Sequence, residues 1–488
     1  MADKQPKAAS GGFATGPRPG GFSPQGQAGP GGPPRGMMGR PDYTQGNIFK
    51  NLMKLSWPIA VTNTLMMIGP MLDMIFIGRL GAEAVADIAG VGAAGTIVQL
   101  GMGAMMGLTM GMRALIARFV GAGQLADANR AVQQAFAVAV ILAVFMAVVG
   151  AFFAEDLIAL VGVRPEVVTV GAIYLRISFI GSASMTLRMM MDSVMQASGD
   201  SMNPMRIAFV YRILHVVLSY FLVLGGWIFP QLGVTGAAVA SVVSQSVGVI
   251  LGIGVLMGRR STLHLSFKDF RFDFGLIWRI VRIGLPALVA GIQRMISQVV
   301  LMVFMAPFGT VAVAAHTVNQ RIEMMLFMPA MAFGMGAGVL VGQNLGAKQP
   351  ERAEKSVWLA VALVEGIAIL ACAAMLVWTD GTIRIFNDDP ALVREAGGYL
   401  LIALTGFVMI GFMFVLMNAI QGAGDTMPMM IITIVTTWGI TLPLAYFLPR
   451  WTDLGAHGVR WAMAASVIVG SVANFIYFRT GRWKHKRV

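Results

Sequence analysis

Four carboxylates lie within long apolar segments of the chain and are the residues best placed to do chemistry: Asp73, Asp192, Glu323 and Glu365. A charged side chain in hydrocarbon costs several kcal/mol, so such a group is usually paired or functional. A carboxyl group taken out of water can bind and release a proton near neutral pH. The pattern indicates ion exchange within a membrane.

The four differ in their near neighbours. Asp73 stands alone in the outer part of its segment, where it either carries an ion or pairs with Arg79. Asp192 has Arg188 one helical turn before it, a spacing that favours an ion pair. Glu323 is close to Arg321 and is also placed to bond across helices. Glu365 has no partner within one turn and is predicted either to couple ions or to face a wet cavity.

Other chemistries find no support in the sequence. It contains no GxxxxGK[ST] phosphate loop, its five histidines are far apart, and its single cysteine, Cys372, lies in an apolar stretch. We therefore predict no metal, no cofactor and no enzymatic activity. Any process that needs energy is expected to be driven by an ion gradient and not by ATP hydrolysis.

The composition is that of a helical membrane protein. Of 488 residues, 57% are hydrophobic and only 12% are charged, against roughly a quarter charged in soluble domains. Apolar runs of about 20 residues match the length that crosses a bilayer, and they do not alternate as barrel strands would. They predict twelve transmembrane helices, near 51–78, 88–112, 131–153, 168–196, 205–228, 234–257, 283–306, 311–341, 356–378, 392–420, 428–449 and 457–478.

The net charge of +13 is concentrated in loops and tails. Basic loops mark the cytoplasmic side of a membrane protein, so both termini are predicted to be cytoplasmic and no nucleic acid partner is expected. Residues 1–45, rich in Gly and Pro, are predicted to form a disordered cytoplasmic tail. Residues 258–282 form a basic linker and residues 481–488 a basic tail.

An internal repeat divides the chain. Gln196-Ala-Ser-Gly-Asp-Ser-Met202 returns as Gln421-Gly-Ala-Gly-Asp-Thr-Met427, and further matches keep their order across both halves. Six spans per half is an even number, so the halves enter the membrane with the same orientation. We predict two parallel six-helix lobes, 46–257 and 283–480, that rock about a shared cavity in a monomeric protein. The aspartate of each motif is expected to cap the following helix.

The chain resembles the multidrug and toxic compound extrusion (MATE) transporters over about residues 48–480. The resemblance is carried by five motifs: Leu-Ser-Trp-Pro58, Phe-Ile-Gly-Arg-Leu-Gly81 after Asp73, Ala-Arg-Phe-Val-Gly-Ala122, the doubled Gly-Asp-Ser/Thr motif, and Val-Gly-Gln-Asn-Leu-Gly-Ala347. It implies a two-lobed exporter in a bacterial inner membrane that exchanges H⁺ or Na⁺ for amphiphilic, often cationic, drugs.

The resemblance also implies residue roles. Asp73 matches the first-helix aspartate that binds the coupling ion, and Pro58 the proline at which that helix bends. Many relatives add an Asn and an Asp where this chain has His215 and Ser219, and a histidine can titrate near neutral pH. The C-terminal carboxylates of sodium-coupled relatives are absent from Gln293-Arg294-Met295 and Met409-Ile410-Gly411, which favours protons.

Four arginines inside predicted spans leave two alternatives for the charge of the substrate: Arg188, Arg212, Arg294 and Arg321. If they pair with Asp192, Glu323 or Glu365, a cationic drug is expected; if they face the cavity, an anionic or zwitterionic substrate is. Candidate cavity residues are Arg188, Asp192, Arg294 and Glu365. The alternatives are a flippase or exporter of an anionic or lipid-linked metabolite, and, in another class, a membrane scaffold or receptor.

Overall fold

A computed structural model describes residues 42–80, 84–159, 165–226, 229–258, 261–265 and 270–486. Within them the chain forms sixteen α-helices, and the one β-type pairing is an isolated bridge between Gly226 and Phe229. The predicted all-α fold class is confirmed.

The first lobe contains seven helices, of which α4 and α5 occupy one predicted span. They are α1 (Ile48–Gly78), α2 (Ala84–Gly121), α3 (Leu125–Ala159), α4 (Pro165–Ile180), α5 (Ser182–Ala197), α6 (Met202–Leu224) and α7 (Gly233–Met257).

The second lobe contains nine helices, because two of its predicted spans are interrupted and α11 is a short extra helix. They are α8 (Phe274–Met305), α9 (Thr310–Gly346), α10 (Pro350–Val377), α11 (Thr379–Arg384), α12 (Pro390–Phe407), α13 (Ile410–Gly422), α14 (Thr426–Thr436), α15 (Leu442–Trp451) and α16 (Ala456–Arg479). Asp273 and Asp389 cap the first turns of α8 and α12 through their carboxylates.

Nine helices in the described residues are long and apolar enough to cross a membrane, or ten when the bent pair α12 and α13 counts as one span. The count of twelve stays a prediction. The spans predicted over 168–196 and 392–420 are each interrupted, since the chain breaks at Gly181 and again at residues 408–409, where it bends by 50°. The span predicted over 428–449 contains a π-helical turn at residues 437–441, followed by Pro443, which has no N–H to donate.

The doubled motif has the same backbone conformation in both lobes. Gly199 and Gly424 have φ of +94° and +85°, values that only glycine adopts easily. The hydroxyl that follows each motif aspartate donates to the first helix of its own lobe: Ser201 to the Lys54 carbonyl and Thr426 to the Ile283 carbonyl. These bonds hold each motif against the proline-containing helix beside it.

The two motif aspartates act differently. Asp200 accepts from the backbone N–H of Asn203 and so caps α6 as predicted. The same prediction for Asp425 is wrong, because its carboxylate makes no capping bond. It instead accepts from the Tyr477 hydroxyl and pairs with Lys486 at 2.8 Å, so it ties the C-terminal segment to the lobe.

Both described chain ends lie at the same end of the bundle, called here the terminus end. Arg352 donates to the carbonyls of Gln45 and Gly46, and the neighbouring Glu354 pairs with Lys484 at 2.5 Å. Tyr43 is buried and its hydroxyl donates to the Gly199 carbonyl at 2.9 Å. Packing therefore begins at least three residues before the boundary predicted at residue 46.

The two lobes pack backbone to backbone toward the terminus end. A Cβ atom on Gly111 of α2 would lie 2.1 Å from the Ile280 carbonyl oxygen of α8, and one on Gly346 of α9 would lie 2.2 Å from the Arg118 carbonyl oxygen. Gln343 of α9 donates to the Ala197 carbonyl at 3.0 Å. We call this contact between the lobes the seal.

Enlarging Gly111 should open the seal. We expect Gly111→Val to cost about 1–3 kcal/mol of lobe packing, because the new side chain overlaps the Ile280 carbonyl. A cysteine at Ser56, which is buried against Gly336, reports the change in a Cys372→Ala background. The cysteine should react with thiol reagents only in the Gly111→Val protein.

The matched control is Gly254→Val, because a Cβ atom there meets nothing within 4 Å. Equal protection of the Ser56→Cys thiol in both valine variants would contradict the seal.

Candidate functional site

Asp73 of α1 is buried against α6, which supplies two polar neighbours. Ser219 Oγ donates to Asp73 Oδ1 at 2.5 Å, and His215 Nε2 lies 3.4 Å from Asp73 Oδ2. His215 and Ser219 are four residues apart, so they share one face of the helix. The structure thus brings together the three residues that the sequence proposed as the ion-coupling set.

Arg212, one turn before His215, extends this cluster. Its Nη1 lies 3.2 Å from His215 Nδ1, and its Nη2 donates to the Met66 carbonyl at 3.2 Å. A guanidinium group is always a donor, so His215 Nδ1 must be the acceptor. The proton of a neutral His215 then resides on Nε2, the nitrogen that faces Asp73.

The Arg212 contact depends on two residues of α1 that the sequence analysis missed. Pro70 has no N–H, so the Met66 carbonyl four residues earlier lacks its helical partner and is free to accept from Arg212. Gly69 leaves room for the guanidinium, since a Cβ atom there would lie 1.6 Å from Arg212 Nη1. The Gly69-Pro70 pair, which ends three residues before Asp73, is the sequence feature that could have indicated this contact.

Pro58 lies twelve residues earlier in the same helix, away from the cluster. Its missing N–H frees the Lys54 carbonyl, which accepts from Ser201 instead. The bending role that the resemblance implied for Pro58 stays a prediction. Of the two prolines in α1, Pro70 is the one whose freed carbonyl contacts the Asp73 cluster.

Arg188 and Asp192 form the predicted pair on α5, with Arg188 Nη1 donating to Asp192 Oδ2 at 2.6 Å. Both side chains are buried, and the guanidinium also lies 4.7 Å from the centre of the Tyr211 ring. The pair occupies the interior of the first lobe, where each charge is balanced by the other.

Glu365 of α10 is buried at the break between α12 and α13, where its Oε1 accepts from the Phe412 N–H at 3.0 Å. It therefore has a backbone partner on another helix. Its carboxylate lies against Gly411, where a Cβ atom would be 3.0 Å from Oε1. Glu365 thus places a carboxylate beside the Met409–Gly411 stretch, which itself has none.

Glu323 does not pair with Arg321. Its partner is Arg460 of α16, a fully buried arginine whose Nη1 also lies 3.3 Å from His316 Nδ1. The bond across helices that the sequence allowed for Glu323 is therefore present, and Arg321 projects from a different face of α9 and is exposed. The sequence offered no local signal for this pair, because Arg460 is 137 residues away from Glu323.

The side of α9 that meets the first lobe is packed against that lobe near the terminus end and exposed farther away. Met335 contacts Asn63, and Gly346 contacts Arg118. At about 100° per residue, Arg321 lies within about 40° of both positions around the helix, yet it is exposed. The lobes therefore diverge beyond the seal and leave an open cleft.

Methionines line this cleft. Met324 and Met325 of α9 are exposed on the same side as Arg321. On α1, Met67 and Met74 are also exposed. Around the helix axis they lie within about 20° of Ser56, which contacts Gly336 of α9. Asp73 lies about 100° away from Ser56, so one helix carries the ion cluster and the cleft wall on adjacent faces.

Arg294 of α8 faces the interior of the protein. The exposed apolar stripe of this helix includes Trp278, Leu285 and Ile296, and Arg294 lies about 170° around from it, on the side of buried Ala290. Its side chain is nevertheless exposed. Within the described residues, neither Arg294 nor Arg321 has a hydrogen-bonding or ionic partner.

Two helical lobes that meet in a seal at one end and diverge into a cleft, with Asp73 buried beside that cleft, are typical of a multi-pass membrane transporter. The MatE family model matches the chain twice, over residues 58–221 and 286–447. The chain belongs to the MATE family. The two matches also agree with the internal repeat.

Similar proteins span nearly the whole chain. A probable multidrug resistance protein NorM of Thermotoga maritima is 27% identical, covering 90% of this chain and 94% of its own. An FAD transporter of Shewanella oneidensis is 24% identical, covering 82% and 88%. A crystal structure of MATE in the straight conformation, 21% identical, has a TM-score of 0.84 and covers 91% and 98%.

Removing one partner of the Arg188–Asp192 pair should destabilise the first lobe. We expect Asp192→Asn to lower stability by about 3–5 kcal/mol, because it leaves a buried guanidinium without a counter-charge. The measurement is thermal unfolding of the purified protein in detergent.

The double variant Arg188→Met/Asp192→Leu removes both charges and should unfold close to the wild-type temperature. If Asp192→Asn alone unfolds at that temperature, Arg188 has another source of compensation.

Proposed function

We propose that the protein is a secondary active exporter that exchanges an amphiphilic substrate for H⁺ by alternating access of the two lobes. The observation that carries the proposal is the Asp73–His215–Ser219 cluster, buried on the helix that also forms a wall of the cleft. An ion bound there acts on the same helix that the substrate contacts.

Protonation of the cluster changes what α1 can pack against. An ionised Asp73 needs the Ser219 hydroxyl and the His215 N–H, which draw α1 toward α6. A neutral Asp73 loses part of that attraction, and the Arg212 bond to the Met66 carbonyl is then easier to rearrange at Pro70. A one-unit difference in pKa between two lobe arrangements is worth about 1.4 kcal/mol, within the usual range of about 1–3 kcal/mol for coupling between sites.

The donor set favours H⁺ over Na⁺. A hard cation takes several oxygen ligands, whereas two of the groups nearest Asp73 are the His215 imidazole and the Arg212 guanidinium behind it. The positive charge of Arg212 behind His215 repels a metal cation bound at Asp73. It does not prevent Asp73 and His215 from sharing a proton. Sodium coupling is the alternative.

The protein is proposed to act as a monomer in the plasma membrane, a bacterial inner membrane, with both termini in the cytoplasm. The terminus end carries basic residues that include Arg118, Arg352 and Lys484, and the positive-inside rule assigns such an end to the cytoplasm. The seal then closes the cytoplasmic side and the cleft opens outward.

A second candidate is export, or flipping, of an anionic or lipid-linked metabolite. The observation that favours it is the lack of carboxylate partners for Arg294 and Arg321 among the described residues. The names of the relatives include both multidrug resistance proteins and an FAD transporter. A scaffold or receptor without transport has less support, since the chain belongs to a transporter family.

Asp73→Asn tests the coupling role. We expect the variant to insert and fold but to lose uphill export under an imposed pH difference, because an amide cannot exchange the proton. Reconstituted vesicles and a dye substrate provide the measurement.

Asp380→Asn on exposed α11 is the matched control and should transport like the wild type. Wild-type uphill rates in Asp73→Asn protein would remove Asp73 from the mechanism, and a strict requirement for Na⁺ in the wild type would replace the proton.

Topology can be tested with introduced cysteines in a Cys372→Ala background. We expect a Thr262→Cys thiol to react only with membrane-permeant reagents in intact cells, because it lies in the cytoplasmic linker. An Asp380→Cys thiol should also react with impermeant reagents from outside. The opposite labelling pattern would invert the orientation.

A further inference from the structure

We infer that Arg294 and Arg321 form an anion-recognition subsite in the methionine-lined cleft, and that the transported substrate is an amphiphilic anion. This inference rests on the proposed export function and specifies its substrate. It goes against the cationic substrates that the resemblance implied.

The two arginines lie at the same depth. Arg294 is eleven residues before Met305, the last residue of α8, and Arg321 is eleven residues after Thr310, the first of α9. Residues 306–309 connect these helix ends at the open side of the cleft. At 1.5 Å per residue, each arginine lies about 17 Å below that connection, which is near mid-membrane.

Their exposure at this depth means contact with water and not with lipid. An unpaired guanidinium facing hydrocarbon at mid-membrane is strongly disfavoured, so intramembrane arginines face protein or a water-filled cavity. Arg294 lies opposite the apolar stripe of α8. Arg321 lies on the side of α9 that meets the first lobe near the seal. Both therefore project into the interior opening.

The other charges in the spans do not neutralise them. Asp192 is taken by Arg188, and Glu323 by Arg460. Glu365 bonds the Phe412 N–H. Asp73 is turned toward α6, where Arg212 and His215 accompany it. These four carboxylates are thus engaged elsewhere, and no other described carboxylate pairs with Arg294 or Arg321.

The walls of the cleft provide apolar contacts for the body of the substrate. Met67 and Met74 of α1 oppose Met324 and Met325 of α9. Methionine side chains are flexible and polarisable and adapt to apolar bodies of different shape. A carboxylate, sulfonate or phosphate head on an aromatic or aliphatic body satisfies both parts, because arginine binds such oxyanions with two parallel hydrogen bonds.

The test uses two probes with the same ring system and opposite charge, 1-pyrenesulfonate and 1-pyrenemethylammonium. Binding to the full-length protein is measured by fluorescence anisotropy in a neutral detergent, without any ion gradient. We expect the wild type to bind the sulfonate at least tenfold more tightly than the ammonium. Arg294→Gln and Arg321→Gln should each weaken sulfonate binding at least fivefold, and the double variant should lose the charge preference.

Two further variants keep the test informative. Arg384→Gln, at an exposed arginine of α11, should bind both probes like the wild type. Arg294→Glu/Arg321→Glu should reverse the preference, a gain that misfolding cannot produce. Wild-type protein that prefers the ammonium, or a preference for sulfonate that survives in the double glutamine variant, would overturn the inference.

The binding result is independent of coupling. If the sulfonate preference holds but no gradient drives its export, the subsite stands and the proposed export function fails. If a pyrene ammonium is exported against its gradient while the sulfonate neither binds nor moves, export stands and the anion subsite fails.

Discussion

The desolvation of charge organises this protein, because every ionised group inside the bilayer must find a partner or water. The carboxylates meet that requirement in four different ways. Asp192 pairs with an arginine on its own helix, and Glu323 with Arg460 on a distant one. Glu365 caps a helix break, and Asp73 is held by a serine and a histidine. In the described part of the chain, Asp73 is the one of the four whose carboxylate directly faces a histidine, so the two side chains are placed to share a proton.

The prolines of α1 belong to the same electrostatic arrangement. Each proline lacks a backbone N–H and so frees one carbonyl of α1. The Lys54 carbonyl accepts a hydrogen bond from Ser201 of the doubled motif, and the Met66 carbonyl accepts one from Arg212 of α6. The first helix is therefore attached to its neighbour by side-chain bonds at the points where its own hydrogen bonding is weakest. Such bonds can be exchanged without unfolding the helix, and Arg212 links one of them to the charge on Asp73.

The sequence predicted what is encoded locally or by repetition. The apolar runs, the parallel halves, the Arg188–Asp192 pair and the His215–Ser219 spacing all follow from residues close together in the chain or at a constant offset. Contacts that require the packed lobes could not be read in that way. A bond across helices was open to Glu323, but its partner Arg460 could not be identified, because the two residues are 137 positions apart in the chain. Gly69 and Pro70 became informative only once Arg212 was seen beside them.

The charge of the substrate decides how the membrane potential contributes to transport. Moving one elementary charge across the membrane is worth about 2.3 kcal/mol per 100 mV. Exchange of a monovalent cation for one proton moves no net charge, so only the pH difference drives it. Exchange of a monovalent anion for one proton moves two charges in the direction that an inside-negative potential favours, worth about 4.6 kcal/mol per 100 mV. Arg294 and Arg321, which have no partner among the described residues, and the proton site proposed at Asp73 together provide the two features that let the potential and the pH gradient act together.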